Sequence, residues 1–315
     1  VLDIRMKEGN NKLLKGAGSI GLISSKLTLE GPIKNENTSF LVSGRRTYID
    51  LLTRPLVRAV SEGNETGGYY FWDLNAKVNH RIDNKNRLFL SFYGGKDRGF
   101  YRDDQGNILN PSELGMASLE WGNMITALRW NRELNNKTFL NTTATFSDYR
   151  FITELEQRFN ESDGTSEFLF QYTSGIQDFT LKSDLDYAPN PNHYVKAGAA
   201  LIHHRFRPGV NTIEIDDVGE APIDTTFGNA DVRSFEFYSY IEDDWEINER
   251  WKVNAGVHFS GLLQSSEDFF SAQPRITLRW LLNEKHSIKL GYATMAQYLH
   301  LLTNTGIGLP TDLWL

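Results

Sequence analysis

The chain has 315 residues, a formal net charge of -7 and no cysteine. No run of about 18 consecutive apolar residues occurs, which excludes a membrane-spanning helix. The mild acidity and the scattered Lys and Arg residues argue against a nucleic-acid partner, because nucleic-acid binders present a basic face. The lack of cysteine excludes disulfides, thiolate metal sites and cysteine nucleophiles.

The clearest strand pattern begins at Tyr70. Apolar residues recur at every second position from Tyr70 to Ile82, interrupted only by His80, and polar residues take the alternate positions. Because successive side chains of a strand point to opposite faces, this pattern predicts a strand with one apolar face. Residues 83–86 turn the chain, and the return strand has its apolar face at Leu88 and Leu90.

The same alternation recurs over 124–130, 179–187, 237–259 and 276–280. In 237–259, the polar cluster 248–250 is just long enough to reverse the chain as a tight hairpin. Near Gly122 and Asn123 the apolar parity slips by one residue, which predicts a β-bulge. The pattern indicates about 13 strands, many longer than the soluble average of about five or six residues. Such lengths suit a tilted crossing of a bilayer.

The connections between these strands alternate in length. The short polar ones are 34–37, 83–86, 133–137, 189–192, 248–250 and 283–285, and the predicted long loops are 49–67, 101–114, 160–166 and 209–231. Short turns at one end and long loops at the other are typical of outer-membrane barrels. An ordinary sandwich core is the alternative interpretation of the apolar faces, but one core would not hold so many long strands.

The predicted fold class is therefore all-β: a transmembrane antiparallel β-barrel with up-and-down meander topology. Closure is required because an open edge would leave backbone groups unpaired in lipid. The odd strand number, the start at Val1 without an initiator Met, and the loop-like end over 306–315 predict a fragment of a longer polypeptide.

Several segments resemble TonB-dependent outer-membrane receptors. VLDIRMKEGN is similar to the last strand of their plug domain, which ends in Lys-x-Gly just before the barrel. GAGSIGLISSKLTLEGPI and TSFLVSGRRTYIDLL resemble the first barrel strands of members from the Bacteroidota. YIEDDWEI with WKVNAGVHFS, and QPRITLRW with SIKLGYATMAQYLHLL, resemble two later hairpins. The order of these pieces is more specific than any single one.

The resemblance implies a bacterial cell outer-membrane location and a plugged barrel of about 22 strands. It implies that residues 1–10 are the last plug strand and that residues 11–315 are the N-terminal part of the barrel. It also implies energised uptake of a small-molecule, glycan or peptide ligand through the TonB–ExbB–ExbD complex. Outer-membrane lipid, lipopolysaccharide and a surface lipoprotein are further expected partners, and no cofactor is expected.

Two sets of site residues follow from strand parity. The predicted lumen-lining residues are Asp73, Asn75, Lys77, Asn79, Arg129, Asn131, Lys182, Asp184, Asp186, Arg275, Thr277 and Arg279. The predicted aromatic residues at the lipid interface are Tyr70, Trp72, Trp130, Tyr187, Trp245 and Trp251. Mixed charges would hydrate the lumen and hold the plug, whereas aromatic rings favour the membrane interface.

Weaker candidates lie at three places. His203 and His204 adjoin each other on a strand and so face opposite sides, which excludes shared ligation of one metal and favours a solvated or interfacial role. The acidic loop with Asp216, Asp217 and Glu220 is a weak candidate for a hard cation, and a solvated loop is the more common case. Arg45 and Arg46 are expected to divide between the lumen wall and the membrane interface.

Three functions remain open. An energised importer is favoured; a structural or assembly subunit of an outer-membrane complex and a passive porin are the alternatives. The plug-like VLDIRMKEGN argues against the porin. No catalytic triad order, P-loop or HExxH motif occurs, so an enzyme is not expected.

Overall fold

The computed structural model describes residues 6–61, 63–107, 110–160, 164–229, 231–265, 267–304 and 311–314. Within these ranges the chain is nearly all β-strand, with a single α-helix. That helix, like every helical turn in the described ranges, is too short or too polar to cross a membrane.

The first half of the chain contains β1 (Lys15–Ile20), β2 (Ser24–Pro32), β3 (Thr38–Thr47), α1 (Ile49–Val60), β4 (Glu65–Arg81), β5 (Asn86–Asn107), β6 (Asn110–Asn135) and β7 (Thr138–Asn160). The second half contains β8 (Thr165–Asn190), β9 (His193–Asp216), β10 (Ile223–Asn229), β11 (Val232–Glu246), β12 (Trp251–Gln264), β13 (Phe269–Asn283), β14 (His286–Ala293), β15 (Leu301–Asn304) and β16 (Thr311–Trp314).

Fourteen strands form one antiparallel sheet in which strands that are neighbours in sequence pair with each other. The order runs from β1 to β9 and continues from β11 to β14. β10 pairs with the C-terminal part of β9, over residues 209–215. β11 pairs with the N-terminal part of β9, over residues 193–206, so that Val232 lies opposite Phe206. This topology confirms the predicted antiparallel meander.

The hairpin predicted over 237–259 forms as expected. β11 and β12 pair in unbroken register, with Ile241 opposite Val257 and Trp245 opposite Val253. Residues 248–250 form the turn, so the alternation resumes at once because the chain only reverses direction there.

The six short turns share one local device. Each contains an Asn or Asp whose side-chain oxygen accepts a hydrogen bond from the backbone N–H two residues later, at 2.7–3.1 Å. These residues are Asn35, Asp83, Asn135, Asn190, Asn248 and Asn283. In such Asx turns the side-chain oxygen accepts a hydrogen bond from a backbone N–H that has no backbone acceptor in a tight reversal. This need for an Asn or Asp explains the recurring polar clusters.

Two of the predicted long loops are wrong. The ranges 101–114 and 209–231 consist largely of continued strand, because β5 runs to Asn107, β6 starts at Asn110, and β9 continues to Asp216 before β10 pairs back on it. Strand pairing persists in these ranges because it is held by backbone hydrogen bonds, which do not require an apolar alternation of the side chains.

The other two long connections differ from each other. The range 49–67 contains α1 and the start of β4, and the connection from β7 to β8 is short, since β7 ends at Asn160 and β8 begins at Thr165. The predicted loop over 306–315 falls partly outside the described residues, but Thr311–Trp314 form β16, which pairs with β15 and lies against β7, β8 and β9.

The bulge predicted near Gly122 is also wrong. Gly122 pairs with Lys96 and Asn123 with Gly95 in continuous register. The parity changes because the strand leaves its apolar band here: the next residue on that face is Glu120, whose Oε1 lies 2.6 Å from Lys96 Nζ. The side chains on this face change from apolar to charged, while the pairing of the strands continues in the same register.

Candidate functional site

All the predicted lumen-lining residues lie on one face of the sheet, which we call the polar face. The register connects them from strand to strand: Asn79 pairs with Phe89, Phe89 with Arg129, Arg129 with Thr143, and Thr143 with Lys182. The face continues across β9, β11, β12 and β13. It carries Asp73, Asn75, Lys77, Asn79, Arg129, Asn131, Lys182, Asp184, Asp186, Arg275, Thr277 and Arg279. That this face is the lumen stays a prediction.

The six predicted interface aromatics lie on the opposite face, which we call the apolar face. Trp130, Tyr187, Trp245 and Trp251 lie near the short turns, and Tyr70 and Trp72 lie toward the other end. Trp251 stacks on Trp280, with ring centroids 5.0 Å apart. Their role at a lipid interface also remains a prediction.

Burial on the two faces is the inverse of that in a soluble protein. Leu128, Leu181 and Leu201 on the apolar face are 49–57% exposed, whereas Lys77 and Asn79 on the polar face are only 6% exposed. Soluble proteins bury aliphatic side chains and expose lysine. A band of exposed aliphatic residues therefore runs across the apolar face from β2 to β14.

Residues 6–10 lie against the polar face of β2 to β5. Lys7 Nζ is 2.8 Å from Glu30 Oε1, and the backbone N–H of Asn10 donates to the other oxygen of Glu30 at 3.2 Å. Lys77 Nζ in turn donates to the carbonyl of Met6 at 3.1 Å. We call residues 6–10 the docked segment. They form no strand, and residues 1–5 lie outside the described part, so the plug assignment of residues 1–10 stays a prediction.

Gly9 has a steric reason to be glycine. A Cβ atom at this position would lie 2.0 Å from the carbonyl oxygen of Phe40 on β3. Only a residue without a side chain allows the docked segment to approach the sheet this closely. Both fixed residues of the Lys-x-Gly pattern therefore have a structural role: Lys7 binds Glu30, and Gly9 permits the close approach to Phe40.

Glu8 of the docked segment faces a cluster of cations. The ring of Phe89 is 3% exposed, and Arg129, Lys77 and Arg87 lie 4.4, 5.3 and 5.5 Å from its centroid. Glu8 Oε2 lies 3.7 Å from Arg87 Nη1 and accepts a hydrogen bond from Asn79 Nδ2 at 3.4 Å. The cations around Phe89 thus meet a carboxylate from the docked segment. Sequence reasoning missed this contact because it joins residues far apart in the chain.

The polar face carries further charge pairs. Lys182 Nζ lies 3.2 Å from Asp184 Oδ2, and the hydroxyl of Tyr240 donates to Asp184 Oδ1 at 2.8 Å. Arg45 Nε lies 2.6 Å from Asp73 Oδ2, whereas its neighbour Arg46 lies over the ring of Tyr70 on the apolar face. The two arginines therefore divide between the faces as predicted.

The two adjacent histidines also divide between the faces. His203 packs beside the ring of Phe235 on the apolar face, at 4.8 Å. His204 is 4% exposed on the polar face, where its Nδ1 lies 2.7 Å from Asp178 Oδ1 and its Nε2 lies 3.4 Å from Glu236 Oε2. The expected solvated or interfacial role is therefore wrong for His204, because two carboxylates from neighbouring strands enclose it.

The acidic residues 216, 217 and 220 do not come together as a cation site. Asp217 accepts a hydrogen bond from Ser166 Oγ at 2.6 Å, while Asp216 ends β9 beside a cavity lined by Glu154, Glu167 and other carboxylates. No group of three or more His, Asp or Glu residues in the described part of the chain is arranged to hold a metal ion.

Comparison with known proteins agrees with this geometry. Residues 53–297 match the family of TonB dependent receptor-like β-barrels. No curated protein matches the chain. Among solved structures, it is similar to the siderophore receptor PiuA from Acinetobacter baumannii (12% identity, TM-score 0.59, covering 93% of this chain and 49% of that one).

Two further structures are similar in fold. FpvA of P. aeruginosa, solved bound to pyoverdines, has 11% identity and a TM-score of 0.60, covering 95% of this chain and 43% of that one. The RagAB peptide transporter has 8% identity and a TM-score of 0.55, covering 92% of this chain and 39% of that one. At these identities the likeness shows the fold alone. The chain spans less than half the length of each of these structures.

Proposed function

Because this chain belongs to the family of TonB dependent receptor-like β-barrels, we propose that it is part of an outer-membrane receptor that imports a nutrient ligand with energy from the TonB–ExbB–ExbD complex. Proteins of this family are bacterial outer-membrane proteins. The observation that carries the proposal is the docked segment, which lies on the polar face of a sheet whose opposite face exposes a continuous apolar band.

The lumen of a barrel of about 22 strands is too wide to be filled by its own side chains, so it needs a plug. The docked segment is where a plug preceding residue 11 would join the barrel wall. Its contacts with Glu30, Lys77 and Arg87 are polar, and they are reversible in a hydrated lumen. A pulling force on the plug would reach the wall through these contacts, which suits uptake by remodelling of the plug.

The proposed ligand is a small molecule, a glycan or a peptide. Siderophore receptors and a peptide transporter share the fold, and the mixed charges of the polar face favour hydrated cargo over apolar cargo. The resemblance to Bacteroidota members adds a surface lipoprotein as a proposed partner. The same resemblance supports the view that the chain is a fragment whose plug boundary falls at residue 10.

Uptake by intact cells tests the proposal. Cells with the full receptor gene, without it, and without TonB are given labelled ferric siderophore, oligosaccharide and oligopeptide. An importer predicts that uptake of one ligand class falls in both deletion strains. Uptake that needs the receptor but not TonB would identify a passive porin. If deleting the receptor leaves the uptake of all three ligand classes unchanged but removes an outer-membrane complex, the protein is a structural subunit.

A further inference from the structure

Asp97 on β5 lies on the polar face between two aromatic rings. Its partners in the register are Phe71 on β4 and Trp121 on β6. Side chains directly opposite each other on neighbouring strands have Cβ atoms about 4.5–5.5 Å apart, so a ring flanks the carboxylate on either side. This row lies beyond Leu74 of the apolar band, on the side away from the short turns. Both rings and the carboxylate are partly exposed.

A third ring joins this row. The hydroxyl of Tyr69 donates a hydrogen bond to Oδ1 of Asp97. The centroid of the Tyr69 ring lies 6.4 Å from that of Phe71 and 6.4 Å from that of Trp121. Tyr69 is 38% exposed, so a solute on the polar side of the sheet can reach this ring. We call Tyr69, Phe71, Asp97 and Trp121 the Asp97 cluster.

Glycine occupies the neighbouring positions of β5 on the same face. At Gly99 an added Cβ would have Tyr69 Cδ2 as its nearest neighbour at 4.0 Å, so only the edge of that ring borders this position. At Gly95 the hydroxyl of Tyr93 would lie 2.7 Å from an added Cβ, so this phenol lies across the strand. The carboxylate of Asp97 is therefore bordered along its own strand by a hydroxyl on one side and by backbone on the other.

No cation among the described residues forms an ion pair with Asp97. Its sequence neighbours Lys96 and Arg98 point to the opposite face, where Lys96 Nζ and Arg98 Nε lie 2.6 and 4.0 Å from the carboxylate of Glu120. A carboxylate can accept about four hydrogen bonds, and Tyr69 donates one. Asp97 thus keeps most of its acceptor capacity and its full negative charge.

One ring of the cluster already contacts a cation from another strand. The guanidinium of Arg45 lies 4.7 Å from the centroid of Phe71, and Arg45 Nε lies 2.6 Å from Asp73 Oδ2. A cation within about 6 Å of an aromatic centroid is attracted by the negative face of the ring. Beside Asp73 the polar face therefore combines a ring, a carboxylate and a cation, whereas beside Asp97 it has the rings and the carboxylate only.

We propose that the Asp97 cluster binds an organic cation, an ammonium or guanidinium group, of the imported ligand. Asp97 accepts charge-assisted hydrogen bonds from its N–H groups, and the rings contact its charge and its alkyl chain. Among the three proposed ligand classes, peptides are the one whose ordinary side chains, lysine and arginine, carry such a group. The inference therefore narrows the ligand to a basic peptide, and it rests on the proposed function because it assigns the cluster to the cargo.

Peptide binding to the purified full-length receptor in detergent tests this inference. The probe is a dye-labelled pentapeptide amide with one lysine among alanines, and the reference probe has norleucine, which lacks the ammonium group, in place of lysine. Fluorescence anisotropy measures both. The variants are Asp97→Asn, which keeps an acceptor for Tyr69, and Trp121→Leu, which removes a ring. Resistance of the folded barrel to heat in detergent checks that each variant has folded.

The matched control is Asp103→Asn. Asp103 lies on the same face of β5, but its partners in the register are Glu65 and Gly115 instead of aromatic rings. This variant removes one negative charge from the same wall and leaves the Asp97 cluster unchanged. It separates binding at the cluster from general attraction of a cation to an acidic surface.

The expected result is saturable binding of the lysine peptide that weakens about ten-fold in Asp97→Asn, the order of loss for a hydrogen bond to a charged group. Trp121→Leu should weaken it roughly three-fold, since one cation–π contact is lost. Asp103→Asn should bind as the unaltered receptor does. The norleucine peptide should bind the unaltered receptor about as weakly as the lysine peptide binds Asp97→Asn.

Equal binding of the two peptides would overturn the inference, as would an equal loss in Asp97→Asn and Asp103→Asn. No binding of the lysine peptide would also overturn it. Because this assay needs neither TonB nor transport, its outcome is separate from that of the uptake experiment. A receptor that imports another ligand class with TonB would refute only the cation site, and peptide binding without TonB-dependent uptake would refute only the importer.

Discussion

Gly9 is the residue at which the docked segment comes closest to the sheet. In Gly9→Ala the new Cβ would overlap the Phe40 carbonyl, so the segment must move away. Overpacking costs typically about 1–3 kcal/mol, which corresponds to a roughly five-fold or larger rise in the detached population. We expect faster hydrogen exchange of the backbone amides of residues 6–10, measured by mass spectrometry on the receptor in detergent.

The matched control for this prediction is Gly99→Ala. A Cβ at Gly99 would have Tyr69 Cδ2 as its nearest neighbour at 4.0 Å, so this substitution makes only an ordinary van der Waals contact. Its exchange over residues 6–10 should equal that of the unaltered chain. Equal exchange in Gly9→Ala as well would show that the docked segment is not held as described.

Asp83 provides a pH test of the turn device. The backbone N–H of Lys85 and the Asn86 side chain hold the pKa of Asp83 below its ordinary value of 3.8. A lowered folded-state pKa gives stability that is present above the unfolded-state value and is lost as the pH falls through the folded-state value. Asp83→Asn keeps an acceptor that does not titrate. The decrease in melting temperature from pH 7 to pH 3 should therefore be smaller in Asp83→Asn; an identical decrease would contradict the assignment.

At the residue scale, strand parity was a good guide to faces and a poor guide to contacts. Asp73 and Lys77 could be placed on one face because period two holds along β4. The partners of Lys77, namely the Met6 carbonyl and the Phe89 ring, come from elsewhere in the chain, and no local pattern encodes them. His204 was misjudged for the same reason, since Asp178 and Glu236 reach it from the two flanking strands.

β6 offers a direct comparison of the two faces within one strand. Leu128 points to the apolar face at 49% exposure, and its neighbour Ala127 points to the polar face. Leu128→Arg should destabilise the barrel in lipid vesicles by about 2–4 kcal/mol, the cost of arginine near the bilayer midplane. Ala127→Arg is the control and should cost much less, because its side chain points to the polar face. Urea titration in vesicles measures both, and equal costs would mean that Leu128 does not face lipid.

The elements that sequence reasoning misplaced all lie beyond the apolar band. Within this band one face of each strand is apolar and the other polar, so β4 and the β11–β12 hairpin could be predicted from period two. Beyond it the alternation relaxes, so the ends of β5, β6 and β9 resembled loops. The sequence of α1 carries a helix signal, with Asp50 in its first turn and Arg58 in its last. This charge arrangement complements the helix dipole. Because a long loop was predicted over 49–67, this helix was not recognised from the sequence.

At the scale of the whole molecule, the strand order was predictable because short connections force neighbouring strands to pair. The docking of residues 6–10 against β2 to β5 was not predictable from residue patterns, since it depends on contacts between residues distant in sequence, such as Lys7 with Glu30 and Lys77 with Met6. The total number of strands, the plug boundary and the ligand remain predictions that derive from the family and from the resemblance.

The central claim is that one face of this sheet meets lipid and the other lines a hydrated lumen with the docked segment against it. Because the 315 residues contain no cysteine, single cysteines can be placed in turn at positions 124 to 131 of β6 and labelled with a fluorophore. Quenching by brominated lipid in reconstituted vesicles should alternate, strong at 124, 126, 128 and 130 and weak at 125, 127, 129 and 131. Uniform quenching along β6, or quenching confined to the odd positions, would contradict the account.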